Sequence, residues 1–330
     1  MAKMSLDVST SMRDGFGQGL LELGKQNPDV VVLTADLAES TRCHWFAEAF
    51  PDRFFELGVA EQNMMGVAAG MAATGKIPFV CSFAVFSPGR NWDQLRVSVC
   101  YSQLNVKVIG GHAGFSAGGD GGTHQALEDL AITRCLPNLT VVSPADAKQA
   151  AQSVFALAEQ KGPAYLRISR SAPYHLGIRT SEITREKLSL GKIQVIDKGK
   201  DVTLVATGLM VMEALLAAEQ LKKDGIDAEV LNVHTIKPLD DEALLASAEK
   251  TGAVVTVEEH QRAGGMGSAV LESLAGKGCF PIEVLGVKDA FGETGPPAEL
   301  AAKHGLTAAN IVKAAHRVIR QKVTKSLVFC

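Results

Sequence analysis

Short β-branched runs alternate with longer helical patterns along most of the chain, and this alternation constrains it to an α/β fold with mostly parallel strands. Strands are expected at Val30–Asp36, Arg53–Leu57, Ile77–Phe83, Val106–Gly110, Leu139–Ser143 and Ala164–Ser169. Helical patterns fall between them, among them Met12–Asn27, Glu61–Thr74 and Ala145–Gln160. Residues 171–192, SAPYHLGIRTSEITREKLSLGK, break the rhythm with Pro, Gly and charges. A second series follows at Val202–Thr207, Glu229–Val233, Ala253–Glu258 and Ile282–Val287. The expectation is two open, mostly parallel-sheet domains, residues 1–172 and 191–330, joined by a linker over 173–190. The closing SLVFC reads as a loose tail.

A chain of 330 residues suffices for two such cores. With 46% hydrophobic and 21% charged residues, the composition is that of a globular protein. A net charge of −3 gives no reason to expect nucleic acid as a partner. No apolar run reaches the roughly 18 residues of a membrane span. The opening MAKMSLDVSTSMRDG lacks the apolar core of a secretion signal, so a cytoplasmic location is expected. Cys43, Cys81, Cys100, Cys135, Cys279 and Cys330 show no CxxC spacing and read as reduced thiols.

In open parallel sheets, ligands sit at the carboxyl ends of the strands. The polar and Gly-rich stretches of the first half fall mostly there: ADLAES (35–40), GVAEQN (58–63), SFAVFSPGRNWDQ (82–94), GGHAGFSAGGDGGTHQ (110–125) and ISRS (168–171). Together they point to one site.

The stretch 110–125 carries His112, Asp120 and His124. Its glycines let backbone approach a ligand, and its histidines can exchange protons near neutrality. The plain alternative is a surface loop with incidental histidines. Gly119-Asp120-Gly121 has the form of a diphosphate–Mg²⁺ motif, but that motif needs an Asn-type ligand downstream. The stretch NLTVVSPADAKQ ends in Ser-Pro-Ala-Asp instead, so the GDG reads as substrate-contacting and no metal ligand is assigned. Arg13 and Arg170 suit an anionic substrate, with surface ion pairs as the alternative. For Ser40 the plain alternative is stronger still: the N-cap of a helix beginning near Thr41. Phe83, Phe86 and Trp92 cluster in a chain with only 5% aromatics, and either wall a flat ligand or pack the core. Glu61 reads as a helix-start carboxylate, as half of a capping pair, or as a buried acid that shares a proton with a ligand.

In order and spacing, TADLAES, FELGVAEQNM, the SF…F turn, GGDGGTHQ, RCLPNLTVVSPADA and LRISRS resemble the pyrimidine-binding domain of transketolase. DVTLVATG, EVLNV, IKPLD and DAFGETG resemble its C-terminal domain more loosely, and the resemblance covers nearly the whole chain. It implies dependence on thiamine diphosphate and Mg²⁺. It further implies that Glu61 bonds a ring nitrogen of the cofactor's aminopyrimidine and so activates it, with His112 and His124 relaying protons. Phe83 and Phe86 correspond to aromatics packed around that ring. Trp92 stands near where many relatives have tyrosine, and Asp36 lies in a segment close to the cofactor at the dimer contact. Arg13, Ser40, His112 and Arg170 correspond to sugar-phosphate contacts, Asp120 and His124 to groups that bond sugar hydroxyls.

Full-length transketolases carry a further N-terminal domain that binds diphosphate and Mg²⁺, and its GDG…N pattern is absent from this sequence. The expectation is therefore the C-terminal subunit of a split transketolase. It would move a two-carbon ketol unit between sugar phosphates of pentose-phosphate type, self-associating and assembling with an N-terminal subunit as a heterotetramer. The β subunit of a 2-oxo acid dehydrogenase has similar length but normally lacks DGGTHQ and RCLPN. Deoxyxylulose-phosphate synthase shares AEQ and THQ within a single long chain. A non-catalytic partner subunit is the alternative from a different class.

Overall fold

The computed structural model describes residues 9–173 and 188–328, so most of the expected linker, 174–187, lies outside the described residues. In the first half, six strands form a parallel array: β1 (Val30–Thr34), β2 (Phe54–Glu56), β3 (Ile77–Phe83), β4 (Lys107–Gly111), β5 (Thr140–Val142) and β6 (Ala164–Arg167). All residues of β1, β4, β5 and β6 are buried, as required of a sheet covered by helices on both faces.

The helix Met12–Gln26 shows how sequence positions these layers. Ser11 caps it by accepting the Asp14 N–H at 3.2 Å, and Met12, Phe16, Leu20 and Leu23 bury one stripe at helical spacing. Glycines interrupt that stripe at a cost in helix propensity, but a Cβ on Gly15 would stand 2.0 Å from the Ala147 carbonyl oxygen. The helix therefore crosses Ala147–Glu159 at backbone contact, a closeness only glycine allows.

The second half contributes β7 (Gln194–Asp197), β8 (Val202–Ala206), β9 (Ala228–Asn232), β11 (Val254–Gln261) and β12 (Ile282–Val287), in spatial order β12-β11-β8-β9-β7. Its β7 is antiparallel to β9 and the remaining pairs are parallel. Between β9 and β11, the short β10 (Thr235–Lys237) leaves this sheet and pairs antiparallel with β5. The first sheet thus reads β10-β5-β6-β4-β3-β1-β2, with its β5 edge covered by the other half of the chain. One apolar cluster accordingly includes Phe16, Phe79 and Leu166 together with Leu204, Val257 and Ile311.

Two local expectations change. SLVFC begins inside the last helix, Ala308–Val328, which takes in Ser326–Val328, while Phe329 and Cys330 lie outside the described residues. Ser40 is no N-cap: it lies within the short helix Ala38–Thr41, which Leu37 precedes without a side-chain cap.

Candidate active site

The carboxyl ends of β1, β2, β3, β4 and β6 open toward one edge of the first sheet, and each delivers residues to it. After β1, Asp36 turns the chain with φ 59° and donates its N–H to Glu56 Oε1 at 2.8 Å. The same oxygen accepts the Gly58 N–H at 2.9 Å. Glu56, not singled out from sequence, therefore ties the β1 and β2 loops together. Its position at the end of β2, ahead of Gly58, was the available signal.

Glu61 is the first residue of the helix Glu61–Ala73 and is buried. No side-chain cap bond forms at this helix start, so the capping-pair reading falls. Its carboxylate meets Arg90, whose Nη1 lies 3.1 and 3.3 Å from the two oxygens. Its carbonyl accepts from Asn91 Nδ2 at 3.3 Å, and that amide also donates to Ser87 Oγ at 3.0 Å. Arg90 and Asn91 escaped the sequence reading because their partners lie across a loop and not along a helix.

Phe83 ends β3 and stacks on His112, with ring centroids 3.9 Å apart. Phe86 lies parallel to Phe83 at 6.0 Å and meets His124 edge-on at 5.4 Å. The structure thus brings both phenylalanines and both histidines into one aromatic cluster. Trp92 takes another place: its indole N–H donates to the Ile132 carbonyl at 2.7 Å and its ring packs on the core around Met64 and Leu95.

His112 follows β4 with φ 54°, buried. Burial, reinforced by Arg13, Arg170, Arg42 and His124, pushes its imidazole down to about 3, so it is neutral near pH 7. Its buried Nδ1 has no hydrogen-bond partner. The loop beyond winds through a 3₁₀ segment, Gly114–Asp120, held by Ser116, which donates to the Ala113 carbonyl at 2.6 Å and accepts the Arg170 N–H at 2.9 Å. Arg170 reaches back to the Ala117 carbonyl at 3.2 Å and to Asp120 at 3.6 Å. His124 Nδ1 pairs with Thr123 Oγ1 at 2.9 Å. Arg13 Nη1 donates to the Ser40 carbonyl at 3.2 Å while its Nε is buried without a partner. Burial first, then neighbouring Arg42, lowers the Arg13 pKa. Arg42 is itself paired with Asp14 at 2.6 Å.

The second half braces this loop. Gln125 Nε2 donates to Gly118 at 3.2 Å and to Glu293 of the 289–295 segment at 2.9 Å. Beneath, Asp129 accepts from Tyr165 and Arg167, both at 2.8 Å, and Arg167 also donates to the Glu259 carbonyl at 2.9 Å. Among the described residues, no cluster of three or more His, Cys, Asp or Glu side chains is placed to hold a metal ion, and no helix is long and apolar enough to cross a membrane.

Residues 8–174 match the family model for the transketolase pyrimidine binding domain, and residues 191–311 that for the transketolase C-terminal domain. The chain belongs to the transketolase family. Within it, the 6-deoxy-6-sulfo-D-fructose transketolase subunit SqwH of Clostridium sp. (strain MSTE9) is 46% identical over 312 residues, covering 94% of this chain and 95% of that protein. One chain of the apulose-4-phosphate transketolase of Phocaeicola vulgatus is 37% identical, covering 94% of this chain and 97% of its own length. A solved split-gene transketolase, described as an inactive beta4 tetramer, superposes with a TM-score of 0.85 at 45% identity, covering 95% of this chain and 99% of that one. This transketolase-family chain therefore matches C-terminal subunits of split transketolases along nearly their whole length.

Proposed function

We propose that this chain is the C-terminal component of a thiamine-diphosphate-dependent transketolase that moves a two-carbon ketol unit between sugar phosphates, active only with a separate N-terminal subunit. The observation that carries the reading is the convergence of buried Glu61, the Phe83–Phe86 pair and the unpartnered Nδ1 of His112 at one edge of the sheet. A flat, nitrogen-rich ring suits that set: a carboxylate for its edge and aromatic faces for its plane. In this reading Glu61, Phe83, Phe86 and Asp36 hold the cofactor's aminopyrimidine end, with Trp92 supporting the core beneath. Bound thiamine diphosphate would supply the carbon nucleophile that carries the ketol unit. The diphosphate and its Mg²⁺ fall to the N-terminal subunit.

Arg13, Arg170, Ser40 and neutral His112 form the sugar-phosphate end, where guanidinium forks meet phosphate oxygens. Asp120 and His124 orient sugar hydroxyls, and His124 with His112 moves protons beside the reacting carbon. Relatives named for a sulfo-sugar and for apulose phosphate leave the sugar open, so the assay should span a panel of both chemistries.

The test is co-expression with a chain carrying the GDG…N pattern, followed by a ketol-transfer assay with thiamine diphosphate and Mg²⁺. Activity is expected only from the assembled pair. Full turnover by this chain alone would overturn the split-subunit reading.

A further inference from the structure

We propose that Arg90 competes with the cofactor: its guanidinium occupies the carboxylate and the ring face that the aminopyrimidine needs, and it swings outward as the cofactor binds. The inference rests on the cofactor reading above. It starts from two independent contacts of one side chain. The Arg90 guanidinium carbon stands 4.4 Å from the centroid of the Phe86 ring, and its Nη1 reaches both oxygens of Glu61 at 3.1 and 3.3 Å. A planar cation that stacks on a phenyl ring and bonds a carboxylate through N–H groups has the recognition chemistry of an aminopyrimidine edge.

The two partners of this contact differ in freedom. The Glu61 side chain is 3% exposed, and its residue begins a helix whose first carbonyl is held by Asn91. The Arg90 side chain is 52% exposed. Its backbone is pinned, with its N–H on the Phe86 carbonyl at 2.8 Å and its carbonyl accepting from Gln62 at 3.2 Å. Only the guanidinium is free to leave, rotating about its own side-chain bonds into solvent. The ion pair keeps a buried carboxylate from standing alone, since an unpaired buried charge is costly. Half-exposed, it is also weak enough for a ligand with the same bonding pattern to replace it.

The test is calorimetric titration of thiamine diphosphate, with Mg²⁺ present, into the assembled two-subunit complex. Arg90→Ala is expected to tighten cofactor binding by about 5- to 30-fold, the combined worth of one part-exposed ion pair and one cation–π contact. Arg90→Gln, which keeps a polar side chain but loses the charge, should tighten it by a smaller factor and serves where Ala impairs folding. In a Glu61→Gln background the gain from Arg90→Ala should shrink, since the ion pair is already gone. Unchanged or weakened binding in both Arg90 variants overturns the competition. Absence of cofactor binding in every variant, with the subunits still associated, overturns the cofactor reading itself and the competition with it.

Discussion

His112 shows how far an environment can move a residue from its ordinary behaviour. Held down at about 3 by burial and the surrounding arginines, it is expected to show no NMR titration between about pH 5 and about pH 8, where an ordinary histidine changes charge. The proton traffic of a neutral reaction would then run through its neutral form. Glu61→Gln is expected to cost at least about 100-fold in turnover, the low end for a positioned proton-sharing group, while size-exclusion chromatography still shows subunit association. Near-normal rates would remove it from the chemistry. Arg170→Ala should raise KM for a phosphorylated acceptor by about 10- to 100-fold, the worth of a charge-assisted bond, and leave an unphosphorylated acceptor nearly unchanged. Equal changes for both would place Arg170 in loop support only, through its bond to Ala117. Glu61, Phe83 and His112 stood out as candidates from residue type and neighbours, whereas Arg90 carried no signal of its own within SFAVFSPGRNWDQ.

At the scale of elements, the Gly-rich loop 110–125 draws its shape from segments distant in sequence. Its end is clamped by Gln125 against 289–295, and a Cβ on Gly122 would stand 2.3 Å from the Gly292 carbonyl oxygen. Gly122→Ala is therefore expected to push the two segments apart and lower turnover, with hydrogen exchange rising in both; exchange rising in neither would show that the contact is dispensable. The buried Arg167–Asp129 pair lies within the first half, and Arg167 links it to the second through the Glu259 carbonyl; Arg167→Ala should cost about 3–5 kcal/mol in urea unfolding because it strands a buried carboxylate. The presence of these strands and helices was legible in the alternation of apolar periods. The β10 excursion was not, because three residues carry no period and pairing with β5 is decided by which edge lies within reach.

For the whole molecule, stability should fall on mild acidification. His112 and His234, kept at about 3 and about 4 by burial, stay neutral in the native chain while the unfolded chain protonates them below about 6.5. Asp146, raised to about 6 by burial, opposes them, because the native chain takes up its proton before the unfolded one does. These three groups, two against one, contribute a loss on the order of 1.4 kcal/mol per pH unit between about pH 6 and about pH 4. His304, lowered by burial, adds to it and Glu258, raised by burial, opposes it, and the net is read from urea midpoints. A rising midpoint would contradict these assignments. Sequence by itself determined the α/β class, most strand positions and the set of loops that carry polar groups, since hydrophobic period and Gly/Pro punctuation are local properties. Tertiary structure alone decided that Arg90 faces Glu61 from 29 residues away, that Gln125 bonds Glu293 from 168 away, and that Trp92 serves the core. The physical reason is that such contacts depend on the order in which strands stack and on which loops then share an edge, and no local pattern encodes that order.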